Sequence, residues 1–145
     1  MNKKSIWALS IGALVAFITA IAHLSCIFYG PACYQAQLAP QAIVQSAIDG
    51  TLLAPVGTII ISLLFIACGL FALSGAGFIK KLPLLHLALS TIAGLCILRG
   101  ISTIPASYVF PELVSSVSII SGATWFVTGL LFAYGYLSIK GSSAA

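Results

Sequence analysis

The sequence predicts an all-α, polytopic membrane protein: an antiparallel bundle of four transmembrane helices with both termini in the cytoplasm. The first observation behind this prediction is composition. Of the 145 residues, 61% are hydrophobic and only 6% are charged, and the mean hydropathy is +1.18. So few charges cannot cover the surface of a water-soluble domain, so lipid must solvate most of the chain.

The second observation is that the basic residues lie on one side of the predicted membrane. The two acidic residues, Asp49 and Glu112, fall in the first and third connections between the apolar runs. Short segments that carry Lys or Arg are poorly translocated and stay in the cytoplasm. Five of the six basic residues occupy the N-terminus, the second connection and the C-terminal segment: Lys3, Lys4, Lys80, Lys81 and Lys140. This alternation predicts the N-in, C-in topology.

Four apolar runs are long enough to span a bilayer, since a spanning helix needs about 20 apolar residues. We place the spans at about 5–28, 52–73, 83–101 and 113–139, within a single transmembrane domain that covers 1–145. The first run also resembles a signal peptide with a cleavage site near 20–22, but it continues well past that point. The outer connection 29–51 begins with a Gly30-Pro31 turn and contains a predicted short helix near 41–49.

Small residues recur at every fourth position of span one, at Ala8, Gly12, Ala16 and Ala20. Such a stripe lets two helix backbones approach closely, and close packing holds membrane helices together in lipid. We expect this face to serve either the bundle itself or a second subunit.

The four cysteines lack the CxxC spacing of zinc and thioredoxin sites. Cys26 and Cys33 both fall at the outer end of span one or just beyond it, and an oxidising exterior would join them in a disulfide. Packing of small apolar side chains is the alternative. Cys68 falls towards the inner side of span two and Cys96 towards the outer side of span three. We predict no metal site and no cofactor.

One stretch resembles a known group of proteins. Residues 72–85 read ALSGAGFIKKLPLL, and Leu98-Arg99-Gly100 follows after an apolar stretch. This pattern resembles a set of small, uncharacterised four-span inner-membrane proteins of Gram-negative bacteria that carry SGAG–LPLL–LRG. The resemblance implies the four-span topology and a bacterial inner membrane, and it implies no activity.

Arg99 is the one lysine or arginine that is not predicted to lie on the cytoplasmic side of the membrane. A rise of about 1.5 Å per residue puts it some 24 Å along span three, near the outer surface. A guanidinium at that depth needs an acid or a phosphate as partner, and we predict Glu112 first and Asp49 second. Together with Arg99, the other polar residues of this layer form a candidate cluster: His23, Tyr29, Tyr34, Asp49, Tyr108 and Glu112.

This cluster has two interpretations. It is either a pocket for an anionic or quinone-like small molecule, with Arg99 as anchor and His23 as proton donor or acceptor, or an ion pair that pins the loops to the bundle. The chain has no acid in span one, as small multidrug exporters need, and too few acids for a metal-dependent transferase. Enzymatic chemistry is therefore not expected.

The leading prediction is a non-enzymatic inner-membrane accessory protein that packs against itself or another membrane protein. The alternative is a small-molecule binding or redox module with its pocket at the outer face. An oligomeric small transporter is a weaker alternative, because no acid lies in mid-membrane. The expected partners are the lipid bilayer and either a second copy or another membrane protein, with no nucleic acid.

Overall fold

A computed structural model describes residues 2–109 and 116–142. These residues form no β-strand, which confirms the all-α class for this part of the chain. They form seven helices: α1 (Lys3–Tyr29), α2 (Pro31–Ala36), α3 (Gln41–Ile48), α4 (Leu53–Ala76), α5 (Leu85–Ile101), α6 (Thr103–Val109) and α7 (Ser116–Ser142).

Four helical segments are long and apolar enough to cross a membrane. They are Lys3–Tyr29, Leu53–Ala76, Leu85–Pro105 and Ser116–Gly141. The prediction of four spans is therefore confirmed as far as length and composition decide it, and the chain is a multi-pass membrane protein by that criterion. The predicted start of span four, at about 113, and the predicted ion-pair partner Glu112 both lie outside the described residues.

Two short helices, α2 and α6, occupy positions where the sequence predicted only connections. Each carries a proline near its start, Pro31 in α2 and Pro105 in α6. The first four N–H groups of a helix have no partner within the helix, so a proline there removes no helical hydrogen bond. Gly30, with a φ of 73°, separates α1 from α2.

The helices pack as two compact units. Unit 1 contains residues up to Val15 and from Cys68 onward, and unit 2 is Ala16–Ala67. The long helices α1 and α4 each contribute one segment to both units.

In unit 1, helices α5 and α7 pack closely against each other at glycine residues. A Cβ at Gly100 of α5 would lie 2.6 Å from the Cβ of Phe126 and 2.8 Å from the backbone oxygen of Gly122, both in α7. A Cβ at Gly129 would lie 2.7 Å from Cγ1 of Ile97. No side chain fits in these spaces, so the glycines are what permits α5 and α7 to approach this closely.

The turn between α4 and α5 is held by one serine. Ser74 Oγ donates to the carbonyl oxygen of Lys80 at 3.1 Å and accepts a hydrogen bond from the backbone N–H of Leu82 at 2.9 Å. Gly77 takes up the left-handed conformation that ends many helices, with a φ of 84°. Leu84, just before α5, also has a positive φ, of 56°.

The small-residue stripe of α1 is buried inside this chain. Ala8 and Gly12 are buried in unit 1, where a Cβ at Gly12 would lie 2.8 Å from the ring of Phe132. Ala16 and Ala20 are 3% and 2% exposed in unit 2. Each of the four positions is therefore buried within its own unit.

Candidate functional site

Unit 2 contains a small folded module that we call the cap, residues 30–52, which comprises α2 and α3. Its core is formed by Cys26 of α1, Tyr34 of α2, Val44 of α3 and Ala54 of α4, all at most 5% exposed. Each of the helices α1, α2, α3 and α4 therefore contributes one residue to the core of the cap.

A disulfide joins Cys26 to Cys33 in the structure, with the two Cα atoms 5.1 Å apart. It ties the last turn of α1 to the first turn of α2 across the Gly30 turn. Beside it, Gln37 Nε2 donates to the carbonyl oxygen of Ala22 at 2.6 Å. Together the covalent bond and the hydrogen bond fix α2 against α1.

Buried hydroxyl groups join the cap to α4. The backbone N–H of Ala54 donates to Ser46 Oγ at 2.8 Å, so a side chain of α3 caps the first turn of α4. Ser46 Oγ and Thr51 Oγ1 also share a hydrogen bond of 2.6 Å. Further along α4, the hydroxyl groups of Thr58 and Tyr34 are hydrogen-bonded at 3.0 Å.

Sequence reasoning did not single out Ser46, Thr58 or Ser62. Ser62 is 1% exposed, and its hydroxyl donates to the carbonyl oxygen of Ala20 at 3.3 Å. The available signal was the four-residue spacing of Thr58 and Ser62 within an otherwise apolar span, which puts two hydroxyl groups on one helix face.

His23 lies half-buried in the same unit, in α1. Its ring packs edge-on against Phe65 of α4, with the ring centroids 5.4 Å apart. Its Nδ1 atom is buried and has no hydrogen-bond partner among the described residues. A buried polar atom without a partner costs free energy, so this nitrogen requires an explanation.

The other residues of the predicted cluster are exposed. In unit 2, Tyr29 is 77% exposed, and Asp49 is exposed and accepts a hydrogen bond from Gln45 at 2.9 Å. In unit 1, Tyr108 is 83% exposed, and the exposed Arg99 donates to Thr103 Oγ1 at 3.4 Å. Tyr34, by contrast, is buried in the core of the cap.

The structure therefore brings His23, Tyr29, Tyr34 and Asp49 into unit 2, whereas Arg99 and Tyr108 belong to unit 1. The pairing of Arg99 with Asp49 or Glu112 stays a prediction. The described residues contain no group of three His, Cys, Asp or Glu side chains that could hold a metal ion.

Comparison with known proteins adds no relative. No protein-family model matches this chain, and neither the curated proteins nor the solved structures contain a match.

Proposed function

We propose that this chain is a non-enzymatic accessory protein of a bacterial inner membrane that acts through contact with another protein. The spans form an antiparallel bundle with both termini in the cytoplasm, and the cap stands outside. The observation that carries the proposal is the cap itself: a disulfide-closed module whose core is completed by one residue of α1 and one of α4.

Two independent features support this orientation. The lysines of the N-terminus, the α4–α5 connection and the C-terminal segment favour the cytoplasm. A disulfide persists in an oxidising compartment and is rare in the cytoplasm, so the Cys26–Cys33 bond favours the outside for the cap. The charge pattern and the cysteine chemistry therefore point the same way.

Contacts between helices support the antiparallel arrangement. Gly100 of α5 meets Gly122 and Phe126 of α7, whereas Gly129 of α7 meets Ile97, which precedes Gly100 in α5. Contacts that advance along one helix as they retreat along the other indicate two helices that run in opposite directions.

The surface of the cap suits a protein partner. Asp49 is the one charged residue in 30–52, and it is hydrogen-bonded to Gln45 within α3 and its C-cap. Exposed glutamine and alanine side chains make up much of the rest, at Gln35, Ala36, Gln41 and Ala42. Protein interfaces are depleted of charge at their centres, so a surface with so few charges suits contact with a protein.

Photo-crosslinking in cells tests this role. We expect a photoreactive residue at Gln35 or Gln41 to yield discrete protein adducts of one or two sizes, because these side chains face out from the cap. The same residue at Leu63, which is 59% exposed on the apolar span α4, should crosslink to lipid only. Equal yields of protein adducts at Leu63 and in the cap, or none in the cap, would contradict the proposal.

A second candidate, a binding site for a small polar molecule, is favoured by one observation: the unpaired Nδ1 of His23. A ligand that donates a hydrogen bond to this atom would remove the cost of burying it. The edge of Phe65 would then form one wall of the site.

Substitution of His23 by Phe tests whether Nδ1 is unpaired in the free protein. A Phe ring retains the edge contact with Phe65 and removes the unpaired nitrogen, so we expect the free energy of unfolding in detergent to rise by about 1 kcal/mol. Thr58→Val is the matched control: its hydroxyl group is hydrogen-bonded to Tyr34, so its removal should lower that free energy. A stability loss in His23→Phe as large as that in Thr58→Val would show that Nδ1 already has a partner.

A further inference from the structure

The two cysteines outside the disulfide, Cys68 and Cys96, occupy neighbouring spans of unit 1. Cys68 lies in α4 and Cys96 in α5, and each is half-buried. From the ends of these helices nearest their shared turn, Cys68 is about 12 Å and Cys96 about 16 Å along the helix axis. Both thiols therefore lie near the middle of a hydrocarbon core of about 30 Å.

The register of the α4–α5 hairpin sets these two cysteines at one level. A Cβ at Gly75 of α4 would lie 3.0 Å from Cδ1 of Leu89 of α5, so these two positions face each other. Cys68 precedes Gly75 by seven residues, and Cys96 follows Leu89 by seven. Seven residues are almost two full helical turns, so each cysteine returns to the face that makes this contact.

The sequence predicts Cys68 towards the inner side of its span and Cys96 towards the outer side, and both depths stay close to the middle of the core. The Gly75–Leu89 contact fixes the register of the two helices directly.

We propose that Cys68 and Cys96 form a two-thiol site for a soft, thiophilic metal ion that accepts two ligands. Thiolate sulfur is the protein ligand that soft ions prefer. On binding, each S–H bond breaks and each sulfur forms one bond to the ion, so two protons are released and no electron is transferred. Zinc does not fit this site, because its sites use four protein ligands, or three and a water, and the described residues bring no group of three His, Cys, Asp or Glu side chains together.

The surrounding hydrocarbon selects the charge of the ion. Two thiolates bound to a divalent ion such as Hg²⁺ form a neutral complex, whereas a monovalent ion would leave one negative charge in mid-membrane. A charge there is costly, and no lysine or arginine lies in α4 or in α5 before Arg99. The site therefore fits a divalent, two-coordinate soft ion.

The test uses the full-length protein in mild detergent, without reductant so that the Cys26–Cys33 disulfide stays closed, and Hg²⁺ as the probe. We expect one Hg²⁺ per chain by intact-mass measurement, with Cys68 and Cys96 both protected from a maleimide. This adduct should survive an excess of a monothiol that strips Hg²⁺ from a single cysteine, because the second sulfur is held at a high effective concentration.

Cys68→Ser and Cys96→Ser are the matched variants, and each should lose the adduct that resists the monothiol. Wild-type protein whose Hg²⁺ is removed by the monothiol as readily as from either variant would overturn the proposal. So would wild-type protein in which the maleimide modifies one cysteine while Hg²⁺ occupies the other. The maleimide outcome is read on wild-type protein alone, so it holds even if a variant fails to fold.

Discussion

Gly100→Ala is expected to lower the free energy of unfolding by about 3 kcal/mol, at the upper end of the usual cost of overpacking. The added Cβ would lie 2.8 Å from two backbone atoms of α7, the oxygen of Gly122 and the Cα of Phe126. A side chain can rotate away from such a contact, but a backbone cannot. Helices α5 and α7 must therefore separate, and the dispersion contacts along them are lost.

Gly94→Ala is the matched control, because Gly94 lies in the same helix and a Cβ there would meet nothing within 4 Å. Alanine is favoured over glycine inside a helix, so this variant should gain about 0.5–1 kcal/mol. The measurement is unfolding of both variants by titration with a denaturing detergent. A Gly100→Ala protein as stable as Gly94→Ala would show that α5 and α7 do not approach as closely as described.

The second large effect is expected from loss of the disulfide. Cys26→Ala should destabilise the cap by roughly 2–3 kcal/mol, the value that the chain-entropy model gives for a short loop. The two cysteines are seven residues apart, so the closed loop is short and the effect is local. Amide hydrogen exchange in α2 and α3 should become faster by about a hundredfold, as the cap opens more often.

Two comparisons separate the effect of the disulfide bond on stability from the effects of the cysteine side chains themselves. Cys33→Ala and the double variant should destabilise the cap as much as Cys26→Ala does, because each removes the same bond. Stability effects of substitutions at two interacting residues do not add. Cys96→Ala removes a thiol that is not in the disulfide and should leave exchange in the cap unchanged. Additive effects of Cys26→Ala and Cys33→Ala would mean that the two cysteines stabilise the cap separately.

The apolar runs were sufficient to predict the helical class and the number of spans, because length and hydropathy alone decide whether a helix can cross a bilayer. Their shared position at the outer end of span one also singled out Cys26 and Cys33, which the structure joins. The helices α2 and α6 were missed, since short helices with a proline near the start resemble turns in the sequence. Their formation depends on tertiary packing, as with Tyr34, which is buried in the core of the cap.

The polar layer was the part least predictable from the sequence. Depth along a span identifies which residues share a level, but not which way each side chain points. Tyr29 and Tyr34 are five residues apart, yet the first is exposed and the second is buried. The same limit applies to Cys68 and Cys96, whose levels follow from a contact between Gly75 and Leu89 that no periodicity reveals.

We propose that the disulfide-closed cap stands outside a four-span membrane protein. Thiol labelling of intact cells is the most direct test of this arrangement. A membrane-impermeant maleimide is applied before and after a membrane-impermeant reductant, and the modified cysteines are identified by mass spectrometry. We expect Cys26 and Cys33 to be unreactive at first and both to be labelled after reduction, without permeabilisation. Labelling before reduction, or only in permeabilised cells, would contradict it.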